Sequence, residues 1–84
     1  MKENNKNHKR YVSSLRGLVI PNRWNNAGEV IGVALASFDE SIFHVQDGPG
    51  IERLLPYLRQ EVEVEGEVRP LGDGRELLEV KAII

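Results

Sequence analysis

From Glu61 to Arg69 the chain alternates strictly. Valines stand at 62, 64 and 68 with Gly66 in the same row, and glutamates at 61, 63, 65 and 67. Alternation of period two marks a strand with one buried and one wet face. Gly66 leaves a gap in the apolar row, where a strand bending round a barrel needs room. Pro70, Leu71, Gly72, Asp73 and Gly74 form a turn, and a second β-rich run follows from Glu76 to Ile84, with Leu78 and Val80 facing inward. Asp73 and Gly74 are hairpin-turn residues.

The same pattern, less regular, fills the first half. Tyr11–Ile20 reads as a strand in which Leu15, Leu18 and Ile20 do not share parity. A bulge at Arg16 and Gly17 repairs this, turning all three inward and Arg16 and Val19 outward. Residues 21–28, with Pro21, three asparagines and Gly28, read as a loop. Glu29–Ser37 is the second strand, with the bulky row Ile31, Val33 and Leu35 inside and the small row Gly32, Ala34 and Ala36 leaving backbone open on the outer face. Residues 38–41 form a hairpin turn. Ile42–Gln46 is the third strand, with Phe43 and Val45 in one row and Ile42, His44 and Gln46 in the other.

The period changes after Asp47-Gly48-Pro49-Gly50. Ile51, Leu54, Leu55 and Leu58 recur at helical spacing, so a short amphipathic helix is expected. Pro56 removes a helical hydrogen bond and disfavours helix at Leu55, which predicts a kink or split at 55–56. The order is β-β-β-α-β-β. Separate hairpins would be marginal, so the fold class is mainly β, a five-stranded sheet closed on itself with the helix plugging one end.

Eighty-four residues make one domain, here a barrel over 11–84 behind a flexible basic arm over 1–10, which holds no apolar residue after Met1. Without cysteine the core has no disulfide or thiolate–metal support. No apolar run approaches the ~20 residues of a membrane span, and a polar N-terminus makes the cytoplasm the expected location. The net charge of −2 is unevenly spread: residues 1–25 carry six cations against Glu3, and the rest carries five against twelve acids. Overall charge does not predict a polyanion partner, but an acidic body with a basic end leaves one possible at that end.

Arg16-Gly17-Leu18-Val19, Phe43-His44-Val45-Gln46-Asp47, the glycine-led helix at 50–59, the V-x-V-x-G-x-V run over 62–68 and Asp73-Gly74-Arg75 together resemble the OB-fold superfamily of small oligonucleotide- and oligosaccharide-binding barrels. The resemblance covers 11–84 and implies a five-stranded Greek-key barrel. It also implies a binding face on strands 2 and 3, flanked by the loops at 21–28 and 70–75.

On the outer sheet face Arg16, His44 and Gln46 are candidates for contacts to a nucleic-acid backbone or base edge. Trp24, the only tryptophan, stands beside Arg23 in a polar loop. It serves either as a stacking platform with Arg23 on a phosphate, or as a lid on one end of the barrel. Lys9 and Arg10, with Lys2 and Lys6, add salt-sensitive phosphate contacts or act as a solubilising tail. Phe43 belongs in the core, so the face lacks the exposed aromatics usual in such domains.

The glutamate stripe repels polyanions and guards against edge pairing. Same-row strand residues stand ~6–7 Å apart, too far to close one ion site alone. Catalysis has no local signature, no phosphate-loop spacing is present, and one histidine in the folded part argues against zinc. The expectation is a non-catalytic, cofactor-free module for single-stranded nucleic acid, binding weakly and with little sequence preference. The alternative is a protein-interaction domain whose partner docks on strands 2 and 3 or on the small-residue row.

Overall fold

The computed structural model describes residues 11–84, with side chains from Ser14 onward. The basic arm expected over 1–10, including Lys9 and Arg10, lies outside the described residues. Five strands, β1 (Tyr11–Trp24), β2 (Val30–Ser37), β3 (Ile42–Val45), β4 (Glu61–Pro70) and β5 (Glu76–Ile83), close into a barrel in the order β1-β2-β3-β5-β4. All neighbouring pairs are antiparallel except β3 and β5. That parallel pairing needs a crossover, and the chain makes it through α1 (Pro49–Leu54), a 3-10 turn (Leu55–Tyr57) and β4. The α-to-3-10 change falls at the expected break beside Pro56.

Closure depends on β1. Its first part pairs with β4, from Tyr11↔Val68 to Leu18↔Glu61, and its second with β2, from Gly17↔Ser37 to Trp24↔Val30. The two pairings overlap at Gly17 and Leu18. A Cβ on Gly17 would stand 2.5 Å from the Ala36 carbonyl oxygen, so only glycine permits the approach. Gly66 does the same between β4 and β5: its Cβ would lie 2.3 Å from the Glu79 oxygen, and the register slips between Glu65 and Gly66.

The core follows the alternating rows. Val62, Val64, Val68, Leu78, Val80, Phe43, Val45, Val33 and Leu35 are buried as expected, with Ile51 and Leu54 entering from the helix. Leu55 and Leu58 pack partly buried against them.

Four readings are corrected. The register of β1 runs unbroken through Arg16 and Gly17, and the bulges lie at 21–24 instead. Val19 is therefore fully buried, and Leu18 is 42% exposed. The irregularity sits beside Pro21, which has no N–H to give to a ladder, so strand continues to Trp24 where a loop was expected. On β2, the slip that pairs Arg23 with Gly32 and Trp24 with Val30 leaves Ile31 unpaired on that side. Ile31 is exposed, and Val30 turns to the core in its place. The small row is open only at Ala36: Gly32 and Ala34 are buried, and the Asn22 and Arg23 side chains lie directly over Gly32.

Candidate functional site

The bulge at 21–24 aims side chains as well as bending the strand. It carries Asn22 and Arg23 across Gly32, whose lack of a side chain makes room for them. They reach a groove of about 340 Å³ with His44 and Val45 of β3, Asp47, Leu71 and Arg75 of the β4–β5 connection, and Leu77 of β5. The β3–β5 pairing sets His44 opposite Leu77, which brings the β4–β5 connection to this wall.

The polar groups here are mutually engaged. The Asn22 side-chain amide and His44 Nδ1 are hydrogen-bonded at 3.2 Å. Asn22 Oδ1 is buried without a hydrogen-bond partner, a state that costs ~1–3 kcal/mol. The Arg23 guanidinium donates to Asp47. Arg75 holds Asp73 at 2.7 Å, and Asp73 also accepts from the Arg75 backbone N–H. The side-chain bond to Arg75, then the backbone one, keep the Asp73 carboxyl below its ordinary pKa, and Asp73 raises Arg75 in return. Beside the groove, Arg69 donates to Gln46 at 2.9 Å. Both ion pairs are largely exposed, so each opens at little cost.

Two of the residues singled out in the sequence, Arg23 and His44, meet in this groove. Trp24 follows Arg23 at the end of β1, outside the groove lining, with 55% of its surface in solvent. Arg16 stands apart. It pairs with Glu63 across β1 and β4 at 3.2 Å and lines a different depression with Tyr57 and Ile84. Glu63 also accepts from Ser14, and these bonds, Ser14 first, hold its carboxyl below the usual range. Lys9 and Arg10 lie outside the described residues, but the chain joins β1 at Tyr11, opposite Val68 and two residues from Pro70.

Asn22, Asp47 and Arg75 belong to the groove without having been singled out. Arg75 follows the Asp73-Gly74 turn already noted in the sequence. Asn22 could be inferred from Pro21, because a proline-marked bulge redirects the next side chain. Asp47 gave no local signal, since only the closed topology brings it to Arg23. Among the described residues no group of three or more His, Cys, Asp or Glu could hold a metal ion, and no helix is long and apolar enough to cross a membrane. The groove must be read from its own chemistry, because the chain matches no family model, no curated protein and no solved structure.

Proposed function

We propose that this protein is a non-catalytic cytoplasmic module of OB-fold type that binds single-stranded nucleic acid weakly and with little sequence preference. The observation that carries this reading is the convergence of Arg23, Arg75, His44 and Asn22 from three separate segments on one groove. Arg23 and Arg75 swing from Asp47 and Asp73 to backbone phosphates, an exchange favoured by the low cost of breaking exposed pairs. The His44 ring and the Asn22 amide meet phosphate or base-edge groups, and Trp24 offers a ring to a base leaving the groove, worth ~1–3 kcal/mol. Because both cations exchange one anion for another, affinity is modest, on the order of 10–100 µM at physiological salt.

Titration of Trp24 fluorescence with short single-stranded DNA and RNA, at low and physiological salt, tests the reading. Saturable quenching that survives physiological salt, and weakens at least fivefold in Arg23→Ala and Arg75→Ala, is the expected result. No quenching at either salt, with no change in the amide spectrum, would sink it. The alternative, a protein-interaction domain, draws support from a separate apolar surface at the other end of the β1–β2 ladder.

A further inference from the structure

The β1–β2 and β2–β3 registers place Leu18, Ala36 and Ile42 side by side in one outward row, Leu18↔Ala36↔Ile42. Strands stand ~4.8 Å apart, so the row spans about 10 Å of apolar surface across three strands. Leu18 is 42% exposed, Ile42 40% and Phe38, two residues beyond Ala36, 80%. Leu18, Ala36 and Phe38 line a shallow, almost wholly apolar depression, closed on one side by Glu61. A single exposed leucine is ordinary, but a contiguous apolar surface with a projecting phenylalanine marks an interaction site.

The rim defines the occupant. Asp39 and Glu40 stand in the turn after Phe38, and Glu61 borders the depression, all exposed. Glu63 is already matched by Arg16. Among the described residues Arg59 is a further cation whose backbone lies on this side, its N–H donating to the Val19 oxygen. The rim is therefore acidic on balance. A polyanion is repelled there, although Phe38 alone would suit a base. A second copy docked across a two-fold axis would put the same acidic rim on both sides of the interface, a like-charge pairing that opposes association. The N-terminal arm offers cations but no apolar residue beyond Met1. We infer that the Leu18–Ala36–Ile42 row and Phe38 form a docking site for a segment of another protein that is both apolar and basic, its hydrophobic side chains on the row and its Lys or Arg on the acidic rim.

This site is independent of the groove, and its test separates the two. The full chain, observed by amide NMR, is titrated with three synthetic peptides of equal length: amphipathic leucine–lysine, the leucine–glutamate counterpart, and a serine–lysine peptide of the same charge. The expected result is saturable movement at 18, 36, 38 and 42 with leucine–lysine alone. Phe38→Ser should weaken it at least tenfold and Glu61→Gln two- to threefold, while oligonucleotide quenching of Trp24 is unchanged. Phe38 is so exposed that its replacement leaves the barrel intact, which an unchanged spectrum elsewhere would verify. Equal binding of serine–lysine would reduce the effect to charge attraction, and equal binding of leucine–glutamate would remove the role of the rim; either overturns the proposal. It also fails if these amides move with protein concentration alone, which means self-association, or if the oligonucleotide moves them.

Discussion

Two glycines decide whether this barrel can close. At Gly66 a methyl group would meet the Glu79 oxygen at 2.3 Å and Leu78 Cδ1 at 2.9 Å, and the oxygen belongs to a paired strand that cannot step aside. Gly66→Ala is expected to cost about 2–3 kcal/mol and to lower the melting temperature by roughly 10 °C or more. Gly28 is the control: its φ of +83° disfavours a side chain, but nothing lies within 4 Å. Gly28→Ala should lose only ~1 kcal/mol, and urea unfolding of the two variants ranks steric closure against backbone conformation. A loss at Gly66 no larger than at Gly28 would contradict the closure argument. Glu63 gives a second, pH-dependent test. Its folded-state pKa is depressed by Ser14 and Arg16, so its contribution is complete above the unfolded glutamate range, near pH 4.3, and disappears as pH falls through the lower folded value. Glu63→Gln should therefore flatten the stability profile below about pH 5 and leave its shape at pH 7–8 unchanged.

At the scale of elements, legibility followed the regularity of the pattern. β4 could be read almost completely because four glutamates and three valines alternate, leaving one register that buries the apolar row. The helix and its break at Leu55 were equally readable, from helical spacing and from Pro56. β1 was not. Leu15, Leu18, Val19 and Ile20 are all apolar, so pattern alone cannot choose the inward row. The choice falls to Gly17, whose close approach to Ala36 fixes the parity that buries Val19. The groove was legible only in its parts: Arg23 and His44 by residue type, Arg75 by its turn, Asp47 not at all. Sequence proximity carries no information about a contact made by closure across β3 and β5. The helix also makes the buried row testable. Leu54 is fully buried and Leu55, its neighbour, only partly. Leu54→Ala should cost about 3–4 kcal/mol by chemical denaturation, and Leu55→Ala should cost clearly less. Similar losses would mean that the helix seats on the barrel by a different face.

The whole molecule separates its charges by sequence and its surfaces by position. The acidic body repels a polyanion, whereas residues 1–10 carry Lys2, Lys6, Lys9 and Arg10 against Glu3. If these cations meet the phosphates of a bound oligonucleotide, each phosphate neutralised adds about 0.7 to the salt slope for a single strand. Removing residues 1–10 should lower that slope by up to roughly 3 and weaken binding mainly at low salt, while the Arg23-dependent part persists. Asp47→Asn should act in the opposite sense. It releases Arg23 from its partner at a cost of about 0–1 kcal/mol to the fold and leaves the guanidinium uncommitted before binding, so affinity should rise up to about fivefold. Fluorescence titrations over a salt series measure both effects on the same ligand. A truncated chain with an unchanged slope would remove the arm from the interface, and an Asp47→Asn chain that binds no better would mean that Arg23 does not leave Asp47 for phosphate. If both effects occur, the arm supplies long-range attraction and the groove the contact that survives physiological salt, a division that lets a protein of net negative charge hold a polyanion.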